Sequence, residues 1–153
     1  MINTLGGTTK RIVYREEDGV IAIGFPISGS NVIGDFDANM MVKLNDDGSV
    51  SPVAASTDIP FGRLTSTFQN TDRGNVRVIT PFESHIRCKA NGTLDEGDLL
   101  ACTGFDATER VPIFKAAVAG DYISAICLKG GATGNVDCEI GILRNPYLLD
   151  VPA

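Results

Sequence analysis

The side chains able to do chemistry in this chain are few and widely spread. One histidine, His85, follows Glu83 and Ser84, which places a base beside a hydroxyl and a carboxylate. Neighbouring strand residues point to opposite faces, so adjacent positions cannot converge as a nucleophile, base and orienter. His85 is therefore expected on a solvent-facing strand, and Cys88, three positions on, is expected on the opposite face. The four cysteines, Cys88, Cys102, Cys127 and Cys138, lack any Cys-x-x-Cys spacing and sit in apolar runs. They read as small buried hydrophobes and not as zinc ligands or disulfides. Asp35, Asp37 and Asn39 alternate as in the opening of a calcium loop. Met40 stands where the glycine belongs, and the closing glutamate is missing. The Gly130–Asn135 stretch is glycine-rich, but no Gly-Lys-Ser/Thr and no helix follow it, so it reads as a loop and not a phosphate cradle. No cofactor, no metal and no catalytic residue is expected, and the chain is not expected to be an enzyme.

The elements that would carry these residues follow a period of two. Val136, Cys138, Ile140 and Ile142 alternate with Asp137, Glu139 and Gly141, and Val76 and Val78 flank Arg77. His85, Arg87 and Lys89 alternate with Ile86 and Cys88 in the same way. Further strands are expected at 11–15, 20–25, 40–44, 63–68, 98–103, 111–114 and 122–128. Asp18-Gly19, Asp47-Gly48, Asn91-Gly92 and Gly130-Gly131 separate them as turns. Only Lys115–Ala119 invites a helical turn. The 17 glycines and 7 prolines are scattered as turn punctuation, which favours short strands over long helices. The expected fold is all-β, a compact barrel or sandwich of many short strands with little helix.

At 153 residues the chain is expected to form a single domain, 1–153. Its N-terminal segment 1–10 and C-terminal arm 145–153 are expected to contact neighbours, the arm through Tyr147, Leu148 and Leu149. Arg63, Arg73 and Arg77, interleaved with aromatics, are candidate partner contacts because arginine and aromatic rings are enriched at interfaces. The net charge of −6 disfavours nucleic acid, whose phosphates need a basic face. MINTLGGTTKR has no apolar signal core, and no run reaches membrane-spanning length. Neither a membrane nor export is expected, and synthesis is expected in a cytoplasm.

The stretch Gly92-x-Leu94-x-x-Gly97-Asp98-x-Leu100, then Thr103-Gly104 and Ala125-Ile126-Cys127-Leu128, resembles the C-terminal half of bacteriophage head decoration proteins, the capsid cement proteins. Phe61-Gly62-Arg63-Leu64-Thr65 is similar to a short strand of their first half, and Gly134–Ile142 to their closing strand. The resemblance spans residues 60 to 143. It implies an all-β virion protein without catalytic residues that binds the outer surface of an icosahedral capsid and bridges major capsid subunits. It also implies self-association into a homo-oligomer, a trimer or dimer. A ligand- or receptor-binding β module of a phage fibre is the alternative, and it requires a concave polar site.

Overall fold

The computed structural model describes residues 2–5, 9–15, 21–64, 75–79 and 85–150. The described residues are built of strands, with one 3-10 turn among them at Ile33–Asp35. The first seven strands are β1 (Ile2–Leu5), β2 (Thr9–Arg15), β3 (Ile21–Pro26), β4 (Met41–Leu44), β5 (Val50–Pro52), β6 (Gly62–Leu64) and β7 (Asn75–Ile79). They form one sheet in the order β1-β2-β3-β7-β6-β4-β5. Beyond β3 the chain bends over to β5, where Ile27 bridges Val50 and the Ser28 amide donates to the Val50 carbonyl at 2.9 Å. Five of the strands thereby wrap around Phe25, Phe36, Met40, Val42, Val50, Leu64, Val76 and Val78. The β1–β2 ribbon is left as the outer end of the sheet.

The remaining strands are β8 (His85–Ala90), β9 (Leu99–Asp106), β10 (Val111–Ala116), β11 (Tyr122–Lys129) and β12 (Cys138–Leu148). They close into a barrel in the order β10-β8-β12-β11-β9, with β9 pairing β10 to complete the circle. Every pairing in it is antiparallel except β10 with β8. Closure leaves the barrel no edge strand. The interior is apolar and includes Leu94, Leu100, Phe114, Ile140 and all four cysteines. Met41 of β4 and Val53, just after β5, belong to this same core, and Phe105 of β9 packs against the other. The two sheets are thus joined through shared packing. Arg110, at the β9–β10 turn, adds a fork onto Asp37, with Nε 3.1 Å from both carboxylate oxygens.

The all-β expectation holds, and each strand expected from periodicity is found where the chain is described. The second half of the 63–68 strand lies outside the described residues. Two short strands, β1 and β5, carry no alternation long enough to be read. The helical turn expected at Lys115–Ala119 is instead strand and turn. Lys115 and Ala116 pair with Ala101 and Leu100, and the Ala117 amide donates to the Leu99 carbonyl at 2.8 Å. Closing the barrel overrides the weak helical preference of three alanines.

The Asn91–Thr103 stretch resolves into a clip and the strand it feeds. Gly92 and Gly97 take φ of 88° and 92°, conformations that cost a side chain about 1–2 kcal/mol. Between them Leu94 is 1% exposed and exchanges two backbone hydrogen bonds with Gly131, both 2.9 Å. A Cβ at Gly130 would lie 2.0 Å from the Leu94 carbonyl oxygen, so only glycine permits this approach.

Candidate functional site

The outer surface of the barrel is unevenly polar. On β8 and the start of β12, His85 meets Glu139 at 3.0 Å and Arg87 meets Asp137 at 3.1 Å. Both pairs run diagonally, one step off the register, since β8 and β12 align Arg87 with Glu139 and His85 with Gly141. One strand further round, the surface turns apolar. Ile126 of β11 is aligned with Leu99 of β9 on one side and Gly141 of β12 on the other. A Cβ on Gly141 would meet Ile126 Cγ2 and Leu128 Cδ1, each at 3.6 Å, so both side chains cover the glycine. Leu99 is 40% and Leu128 50% exposed, and Ile126 is half-buried. The result is a contiguous apolar face made from residues whose strand neighbours, Leu100, Ala125 and Cys127, fill the core.

Carboxylates edge this face at the β9 end. Asp95, Glu96 and Asp98 lie in the clip just before Leu99, and none of the three is in an ion pair among the described residues. The Asp98 carbonyl accepts the Cys127 amide at 2.9 Å, which ties the clip to β11. The amides of Glu96 itself and of Gly130 hold the Glu96 carboxyl below its usual range, so it remains charged. Lys129 is the cation nearest in sequence to the face, aligned with Glu139.

A second feature is an open groove of about 410 Å³ lined by Lys89, Asn91, Thr103, Ile113 and Thr133. It overlies the parallel β8–β10 seam, where the register joins Lys89 to Ile113. Its lysine is committed, since Lys89 Nζ lies 2.6 Å from Asp106. That contact, with the Glu109 and Thr108 amides, holds the Asp106 carboxyl below the ordinary range.

The residues with chemical potential are dispersed. His85 is exposed and pairs with Glu139, while Cys88 faces inward. All four thiols are buried and free, and desolvation pushes Cys88 and Cys102 up to about 12. Asp35 caps Val32 and accepts from Asn31, Asp37 holds Arg110, and Asn39 accepts from Arg63. The three therefore face different partners and do not converge on one point. No three metal-ligating side chains gather among the described residues.

Of the contact residues expected from sequence, Arg63 and Arg77 lie on the neighbouring strands β6 and β7, and Tyr147, Leu148 and Leu149 lie at and just past the end of β12. Arg63 lies on β6, half-buried, its Nη1 3.3 Å from Asn39 Oδ1. Arg77 is in β7, aligned with Gly24. Arg73 lies outside the described residues. Phe61 is turned inward, edge-on to Phe25 at 5.1 Å. The tail up to Leu149 is stitched to this same chain: β12 aligns Leu148 with Tyr122, and the Leu149 amide donates to the Asp121 carbonyl at 2.8 Å. Tyr147 and Leu148 nonetheless stay 45% and 48% exposed, and 151–153 lie outside the described residues. Leu99, Ile126 and Leu128 were placed on strands but not read as surface residues from sequence. Their signal was the adjacent Leu99-Leu100 pair, because two neighbouring strand leucines cannot both enter one core. No family model, no curated protein and no solved structure matches the chain.

Proposed function

We propose that this chain is a structural virion protein. It binds the outer surface of an icosahedral bacteriophage capsid and stabilises the shell by bridging major capsid subunits. The observation that carries the reading is the apolar face of Leu99, Ile126 and Leu128 on a closed barrel, edged by the carboxylates of Asp95, Glu96 and Asp98 and neighboured by the His85–Glu139 and Arg87–Asp137 pairs. An apolar centre with a polar rim is the anatomy of a protein-binding surface. The resemblance of the Gly92–Leu100 clip and the closing strand to capsid cement proteins supports the choice of a capsid as partner. On this reading no cofactor is needed, the protein is made in the host cytoplasm, and it ends on the outer capsid surface. Many modest contacts summed over a symmetric lattice suffice for such a task. Mixing the purified chain with undecorated capsids of its phage tests the reading. Co-sedimentation that Leu128→Asp abolishes is the expected result, and a chain that stays in the supernatant at saturating input overturns it.

The groove beside Lys89 favours a second reading, a ligand-binding module of a phage fibre or surface structure, because it is concave and partly polar. A specific glycan-array hit lost in Asn91→Ala and Thr133→Ala would support that reading over the first.

A further inference from the structure

Asn91 stands apart from the other asparagines of the chain. It is the only one followed by glycine, whose backbone amide no side chain shields. The side chains of Asn31, Asn39, Asn45 and Asn135 are each held by hydrogen bonds, to Asp35, Arg63, Ser49 and Asp137 in turn. Asn91 is exposed, and its carboxamide has no hydrogen-bond partner among the described residues. What is fixed at this turn is the backbone. The Asn91 amide donates to the Phe114 carbonyl at 2.8 Å, and the Gly92 amide donates to Thr133 Oγ1 at 3.0 Å. A Cβ built on Gly92 would meet nothing within 4 Å, so water reaches the amide beside it. An untethered carboxamide next to an open glycine amide is the pair of groups that condenses to a five-membered ring.

We propose that Asn91 is a site of spontaneous covalent modification, and that the Thr133 hydroxyl sets its rate by holding the Gly92 amide. In the first step the Gly92 nitrogen gives its proton to hydroxide and attacks Asn91 Cγ. The Cγ–Nδ2 bond breaks, Nδ2 takes a proton from water and leaves as ammonia, and a succinimide remains. Water then opens the ring at either carbonyl. Opening at Cγ gives aspartate on the original backbone, and opening at the main-chain carbonyl leaves Gly92 attached through Cγ, as isoaspartate. Only the deprotonated nitrogen attacks, so a hydroxyl that keeps its proton engaged slows the reaction. That hydroxyl comes from 41 residues on, in the loop ahead of β12. Either product places a carboxylate in the groove beside Lys89. Isoaspartate also inserts a carbon into the main chain between the Phe114 and Gly131 attachments of the clip, which then cannot both keep their register. The modification stands independently of the capsid reading.

The test is incubation of the whole chain, native and in urea, at neutral and at mildly alkaline pH. Peptide mapping that separates asparagine, aspartate and isoaspartate follows the reaction. Asn91 is expected to convert in the native chain, faster at the higher pH. In urea, where a hydrogen bond of about 1 kcal/mol is lost, it is expected to convert at least about fivefold faster. Thr133→Val is expected to speed the native reaction about fivefold for the same reason. Thr133→Ser keeps the hydroxyl and is expected to match the wild type, and all three chains are expected to convert alike in urea. Far-ultraviolet circular dichroism checks that both variants are folded. The fraction carrying isoaspartate is expected to melt below the unmodified chain. An Asn91 that stays intact in the native chain while it converts in urea would overturn the proposal. So would equal native rates in folded Thr133→Val and the wild type. Equal rates in the native and the denatured wild type would overturn the role of Thr133 without any variant.

Discussion

Asp121 shows how a single residue is spent on structure here. It is 4% exposed, accepts the Val118 amide at 2.8 Å and meets Lys115 Nζ at 3.0 Å. Burial alone would raise its pKa, but the Ser56 hydroxyl, the Val118 amide and Lys115 outweigh it and the net shift is downward. A carboxyl lowered in the folded state stabilises above its unfolded pKa of 3.8, and that contribution fades as pH falls through the folded value. Asp121→Asn is expected to cost about 1–3 kcal/mol at pH 7 in urea denaturation. The gap from wild type should shrink below about pH 4. The thiols run the other way. With Cys88 and Cys102 pushed up to about 12 by desolvation, the unfolded chain loses its thiol protons first, so stability falls as pH rises above 9. At about pH 8 a disulfide reagent should leave all four thiols untouched in the native protein and modify all four in denaturant. Ser124, fully buried with a hydroxyl that has no partner among the described residues, should accept alanine without loss or with a gain of about 1 kcal/mol.

Elements were legible where alternation was long. His85–Ala90 and Cys138–Ile142 could be read from single positions, because one row of each enters a closed core and the other faces water. Turns were legible where the chain needs a positive φ, as at Gly48 and Gly92. What stayed hidden depends on distant partners. The three alanines after Lys115 give no local sign that β9 will claim them, and β5 is too short to show a period. The apolar face was hidden for the same reason. Leu99, Ile126 and Leu128 become one surface only when β9 and β11 pair in register. The clip was read as turns and an incoming strand, but its grip on Gly130-Gly131 lies 36 residues on from Leu94 and has no local signature. Gly130→Ala drives a methyl into the Leu94 carbonyl and is expected to cost at least about 2 kcal/mol. Gly29→Ala, with open space around its Cβ position, should lie within about 0.5 kcal/mol of wild type. Paired urea melts of the two variants check both.

At the scale of the whole molecule, the two sheets share Met41, Val53 and Phe105 across their cores and carry opposite assets. One ends in a basic ribbon, and the other presents an apolar face edged by carboxylates. On the proposed reading the exposed apolar face of the barrel is the gripping surface, and its partner is the capsid. The most direct test is calorimetry of undecorated capsids titrated with the chain. The account predicts that the shell's melting transition rises and then saturates at a fixed number of copies per capsid, and that Leu128→Asp removes the rise. A shell whose melting temperature does not move at saturating protein would contradict it.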